Sequence, residues 1–149
     1  MQNLELINLE RITSFERTER GISAQVDGEI LTLDVVKEDL VRLAISRGGR
    51  FDENPTYALA LDPLAKDVAT AEFNVSESSG KIHLTTSAMV LELVKHPFAL
   101  NAYRTDGSTI FESAHTETGE SLAYGYLNDV FVVRRKIGQL DPIYGLGEK

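Results

Sequence analysis

Ala24-Gln25-Val26-Asp27-Gly28-Glu29-Ile30-Leu31-Thr32-Leu33-Asp34-Val35 is the stretch on which the fold turns. Leu31, Leu33 and Val35 alternate with Ile30, Thr32 and Asp34. Successive side chains of a strand point to opposite faces, so this period of two reads as a half-buried strand. Asp27-Gly28 supplies the positive φ angles of a tight primed turn and predicts a hairpin. The same alternation recurs at Val41, Leu43 and Ile45, at Ile82 and Leu84, and at Met89, Leu91 and Leu93. It continues through Phe98, Leu100 and Ala102 and returns at Val130 and Val132. Further turns are expected at Ser78-Ser79-Gly80, Asp106-Gly107 and Thr118-Gly119. Turns spaced about every ten residues predict an all-β, antiparallel β-sandwich. At most one short helix is expected, with Asp62 as N-cap, Pro63 at the first position and Leu64 to Val68 following.

The 149 residues suit one domain. Apolar residues at 42% and charged residues at 26% exclude a disordered or collagen-like chain. A formal net charge of −8 lacks the basic footprint of a nucleic-acid or anionic-membrane binder. With no Cys, disulfides, thiolate zinc sites and thiol nucleophiles are excluded. MQNLELINLER has neither a basic n-region nor an apolar h-region, and no apolar run is long enough to span a bilayer. A cytoplasmic location is the expectation.

Candidates for chemistry are sparse. His83, His96 and His115 are not at metal-ligand spacing, so no metal site is expected. His96 precedes Pro97 and is expected in an extended or turn conformation, and His115 falls in the acidic stretch Glu112 to Glu120, read as an exposed loop. Asp34 and Glu92 are the carboxylates that sit oddly in apolar strand patterns, although outward-facing strand positions account for both. Arg47-Gly48-Gly49-Arg50 reads as a basic turn, and Gly145-Leu146-Gly147 fits neither nucleotide-loop pattern. Tyr124 and Tyr126 are two apart and on a strand share a face. They are candidates for a carbohydrate-stacking platform, with cross-strand aromatic packing as the alternative. Asn74-Val75-Ser76 matches a glycosylation acceptor by chance.

The last fifty residues carry a resemblance. Lys95-His96-Pro97-Phe98-Ala99-Leu100, then Tyr103-Arg104-Thr105-Asp106-Gly107 and Ile110-Phe111-Glu112, resemble the N-terminal sandwich of glycoside hydrolase family 31. Phe131-Val132-Val133-Arg134-Arg135 leads into Asp141-Pro142-Ile143 and then Tyr144, Gly145, Leu146, Gly147, Glu148 and Lys149, which resemble that family's signature turn. The resemblance implies a galactose-mutarotase-like sandwich over residues 1–149, with a catalytic (β/α)8 barrel expected after Lys149. In the family, two Asp residues of the barrel perform retaining hydrolysis of terminal α-glycosides without a cofactor. It therefore implies no catalytic residue in this chain. The implied partners are the barrel of its own chain and the oligo- or disaccharide substrate of the parent enzyme, with no nucleic acid and no membrane. A free-standing carbohydrate-binding module and an aldose-epimerase-like protein stay open as alternatives, the latter needing a Glu and a His facing a sugar ring. An apolar patch is expected around the C-terminal strand, where the barrel would sit.

Overall fold

The computed structural model describes residues 6–51, 70–114, 122–125 and 131–138, and these contain strands and turns without a helix. The segment read as a short helix at 62–68, the turn at 118–119 and His115 lie outside the described residues. The strands run β1 (Leu6–Asn8), β2 (Ile12–Arg17), β3 (Gly21–Val26), β4 (Glu29–Lys37), β5 (Leu40–Ile45) and β6 (Asn74–Ser78). They continue as β7 (Lys81–Thr85), β8 (Met89–Lys95), β9 (Phe98–Arg104), β10 (Thr109–Glu112), β11 (Leu122–Gly125) and β12 (Phe131–Val133). The first sheet has four strands in the order β2-β3-β4-β5, and the second has five in the order β10-β9-β8-β7-β6. Both are antiparallel meanders of sequential hairpins. A third sheet, β1-β11-β12, ties the start of the chain to its later part.

The alternation read from the sequence sets the core. Leu31 and Leu33 stand opposite Ala24 and Ile22 on one side and Ile45 and Leu43 on the other. In the second sheet Ile82, Leu93 and Leu100 align across three strands, as do Leu84, Leu91 and Ala102. These inner faces close on each other around Phe98 and Leu9 in one hydrophobic cluster. Each fully buried aliphatic or aromatic side chain contributes about 1.5–3 kcal/mol, so the two-sheet interface dominates stability. The expected all-β sandwich is therefore observed.

The turns explain the meanders. Asp27 (φ 46°) and Gly28 (φ 87°) make the expected primed turn. The Asp27 carboxylate does more, accepting the backbone N–H of Glu10 (2.5 Å) and of Arg11 (2.9 Å) and so docking the segment between β1 and β2 on the β3–β4 hairpin. At Asp106-Gly107 the hairpin is present, but the tight primed turn is not. Four residues, Thr105 to Ser108, connect β9 to β10, and only Gly107 has positive φ. Asp106 instead accepts the Ser108 N–H (2.8 Å), an Asx-type turn that lengthens the loop. His96-Pro97 forms the turn between β8 and β9, as the proline predicts. Gly21 lies against the neighbouring strand so closely that an added Cβ would sit 1.9 Å from the Leu33 carbonyl oxygen.

Candidate functional site

The outer face of the second sheet carries the main polar constellation. Register places Ser76, His83, Glu92, Asn101 and Glu112 in one row across β6, β7, β8, β9 and β10. Residues directly opposite on one face have Cβ atoms about 4.5–5.5 Å apart, so their side chains meet. Glu92 is the hub. Its Oε2 accepts from Lys81 Nζ at 3.2 Å and lies 3.3 Å from His83 Nε2, and its Oε1 accepts from Asn101 Nδ2 at 3.1 Å. The Glu92 side chain is only 15% exposed and that of His83 25%. Asn101 Oδ1 in turn accepts the Ser113 backbone N–H at 3.2 Å, linking the row to the chain after β10.

Burial raises the Glu92 carboxyl, but hydrogen bonds from Asn101, Lys81 and His83, with the Lys81 charge, outweigh it and hold the group below its ordinary value. Burial, reinforced by the charges of Glu92 and Glu112, pushes the neighbouring Tyr103 phenol up. An epimerase needs a proton-exchanging Glu and His directed at a ring. Here the two meet, and both Glu92 oxygens are hydrogen-bonded within the sheet.

The sequence singled out Asp34 beside Glu92, and the structure separates them. Asp34 stands on the outer face of the first sheet, opposite Arg42, and Glu92 on the outer face of the second. They form no carboxylate pair of the kind glycoside hydrolysis requires. Burial raises the Asp34 carboxyl, with Arg42 and Arg20 pulling against it. His96 is exposed in its turn, with Nδ1 3.3 Å from the Glu10 carbonyl oxygen. Tyr124 falls on β11, opposite Ile7 and Phe131. Tyr126 and the signature residues Tyr144 to Lys149 lie outside the described residues.

Sequence reasoning missed Glu29. It is buried, 4% exposed, and its carboxylate accepts from Ser46 Oγ (2.6 Å) and from the backbone N–H groups of Gly48 (2.8 Å) and Gly49 (3.3 Å). The Arg47–Arg50 turn is thus a small anion-binding concavity filled by the protein's own carboxylate. That is the physical reason it is no phosphate cradle.

At the edge of the sandwich lies a groove of about 480 Å³ lined by Glu38, Ala71, Glu72, Phe73, Asn74, Thr85 and Ser87. Thr86 Oγ1 donates to the Glu38 carbonyl (2.5 Å), holding the β4–β5 turn against the β7–β8 turn to shape it. The guanidinium of Arg17 sits 4.8 Å above the Phe73 ring. The described residues contain no group of three or more His, Cys, Asp or Glu able to hold a metal. No helix among them is long and apolar enough to cross a membrane. Near the C-terminal end, Val133 (47%) and Ile137 (58%) stand exposed.

The family described as the glycosyl hydrolase 31 N-terminal galactose mutarotase-like domain matches residues 30–149. Alpha-glucosidase 2 of Bacillus thermoamyloliquefaciens is 25% identical over 148 residues, which are 99% of this chain and 18% of that protein. The chain thus spans less than a fifth of the length of this curated relative. A Flavobacterium johnsoniae glycoside hydrolase family 31 dextranase, solved with glucose, superposes with a TM-score of 0.64 at 15% identity, over 78% of this chain and 14% of that one. The cycloalternan-forming enzyme of Listeria monocytogenes, solved with a pentasaccharide substrate, superposes with a TM-score of 0.56 at 18% identity, over 80% of this chain and 10% of that one. At such identities these structural likenesses speak for the fold alone.

Proposed function

The chain belongs to the glycosyl hydrolase 31 N-terminal galactose mutarotase-like domain family, and from that premise we propose that it is the non-catalytic front sandwich of a retaining, α-glucosidase-like hydrolase. The observation that carries this reading is the match over residues 30–149, joined to a relative named an alpha-glucosidase of which the chain spans 18%. The work of the domain is to support a (β/α)8 barrel that follows Lys149 and to border the substrate entrance, while the barrel cleaves terminal α-glycosidic bonds.

Two features of the domain support this division of labour. Glu92, the most elaborate polar group of the site, is tied down on both oxygens. Val133 and Ile137 expose apolar surface beside the segment leading to the signature turn, where a docking domain would bury it. The acidic composition fits a cytoplasmic enzyme that binds neither nucleic acid nor anionic membrane.

The test is hydrolysis of p-nitrophenyl α-D-glucopyranoside by the 149-residue chain and by the chain joined to the polypeptide its gene encodes after Lys149. The isolated chain is expected to be inert, and the joined protein to release nitrophenol with retention at the anomeric carbon. Turnover by the isolated chain, or a joined protein inert on α-glucosides, would overturn the reading.

A further inference from the structure

The chain contains two Asp-Gly pairs, Asp27-Gly28 and Asp106-Gly107, each exposed at the tip of a hairpin. Such a pair carries a latent reaction, in which the backbone nitrogen of the glycine attacks the Cγ of the aspartate before it. Glycine is the successor that allows this, because no Cβ obstructs the approach. The space around both glycines is open, and a Cβ built on Gly28 or on Gly107 meets nothing within 4 Å. Sterics therefore do not separate the two sites. Their carboxylates do.

Asp27 Oδ2 reaches out of its hairpin to accept the backbone N–H groups of Glu10 (2.5 Å) and Arg11 (2.9 Å). The Asp27 backbone N–H donates to the Arg11 carbonyl (3.1 Å), so the residue is fastened through main chain and side chain alike. Its carboxyl is committed to a segment remote in the chain. Asp106 is held the opposite way. Its Oδ1 accepts the Ser108 N–H at 2.8 Å, from only two residues further on. The ring closed by that bond runs through both Cγ and the Gly107 nitrogen, so the reacting atoms share one small turn. The donated N–H also draws electrons from Cγ. The Gly107 N–H donates to the Arg104 carbonyl (2.9 Å), a bond at an exposed tip that water readily replaces.

We propose that Asp106 is a modification site at which the turn converts aspartate to isoaspartate, while Asp27 is spared the same reaction by its hold on Glu10 and Arg11. The Gly107 nitrogen bonds to Cγ and gives up its proton, and one carboxyl oxygen leaves as water, closing a succinimide ring. Water then adds to a ring carbonyl. Where it adds to the original main-chain carbonyl, the bond from that carbon to the Gly107 nitrogen breaks. The backbone then runs through Cβ and Cγ, the mass is unchanged, and one oxygen has come from solvent. The Ser108 hydroxyl and N–H hold the Asp106 carboxyl below its ordinary value, which slows the loss of its oxygen. Alignment outweighs this, because holding intramolecular partners in an attacking geometry gains several orders of magnitude. The product lengthens the β9–β10 connection by one backbone bond and removes the Ser108 contact from the turn.

The experiment incubates the folded 149-residue chain in neutral buffer made with isotopically heavy water and maps isoaspartate by fragmentation of its peptides in a mass spectrometer. Isoaspartate is expected to accumulate at Asp106 and to carry one heavy oxygen. At Asp27 it is expected at least about tenfold more slowly, since hydrogen bonds to a charged group must break first. The same chain unfolded in urea is expected to react at similar rates at both sites. Three results would overturn the inference: Asp27 reacting as fast as Asp106 in the folded chain, no isoaspartate at Asp106 in the folded chain, or a preference for Asp106 that persists undiminished in urea. The last would assign the difference to the residues flanking each pair and not to the fold.

Discussion

Replacing Glu29 with alanine removes the acceptor that holds the Arg47–Arg50 turn to the first sheet. Three donors lose their partner: Ser46 Oγ, itself in a residue 1% exposed, and the N–H groups of Gly48 and Gly49. Hydrogen bonds to a charged group contribute about 1.5–3 kcal/mol when buried. Gly48 and Gly49 are exposed, so water takes over much of their loss, and the Ser46 contact carries most of the cost. Ser46 Oγ also accepts the Ile30 N–H at 2.7 Å, so disturbing it reaches the start of β4. The expected destabilisation is about 2–4 kcal/mol, a fall in Tm of roughly 5–15 °C for a domain of this size. Thermal unfolding followed by circular dichroism measures it. Glu29→Gln keeps the volume but turns an NH₂ toward one of the donors, and is expected to lose about half as much. In a double-mutant cycle with Ser46→Ala, the coupling should exceed about 0.5 kcal/mol. Equal Tm values for Glu29→Ala and wild type, or strict additivity in the cycle, would show that the carboxylate does not hold the turn.

Further outcomes follow from other residues. Gly21→Ala drives a Cβ into the Leu33 carbonyl, which cannot move without parting β3 from β4. A loss of about 3 kcal/mol in urea unfolding is expected, and an unchanged midpoint would refute the contact. The Glu92 carboxyl is held below its ordinary value, so its stabilising contribution is full above the unfolded value of about 4.3 and disappears as pH falls through the folded one. Unfolding midpoints of Glu92→Gln should therefore depend less on pH than wild type across the acid range, and parallel curves would contradict this. Asp34 is raised, so its contribution is present below the unfolded value of about 3.9 and is lost as pH rises through the folded one. Asp34→Asn should match or exceed wild-type stability at neutral pH and converge with it in acid. A variant weaker only at neutral pH would show that the Arg42 and Arg20 pairings prevail after all.

How much of this was legible in the sequence depends on whether a residue's partner lies within its own strand. β3, β4, β7 and β8 were legible because each alternates strictly and the inner residues are all buried. β2 was not. A bulge between Ile12 and Ser14 puts Ile12 opposite Val26 and Phe15 opposite Ala24, so the inward apolar residues are three apart and the period of two is broken. β6 carries a single inward apolar residue, Val75, on a polar sheet edge, so Asn-Val-Ser gave no strand signal. Of the polar row, Glu92 was legible as an oddity, but its contacts with Lys81, His83 and Asn101 follow from register across hairpins, which no local pattern carries. Glu29 looked like an ordinary charged residue after a turn. Its burial comes from Ser46 and the glycines of a later hairpin closing over it.

The third sheet bears on how the polypeptide folds as it is made. Leu6, Ile7 and Asn8 pair with Gly125, Tyr124 and Ala123, and among the described residues β1 has no other neighbour in its sheet. Both meanders join strands adjacent in the chain and can close as soon as they leave the ribosome, whereas β1 waits for β11 across a very long loop. A nascent chain arrested before β11 should thus lose its first residues to protease while both meanders resist, leaving the leading strand as the last to be secured.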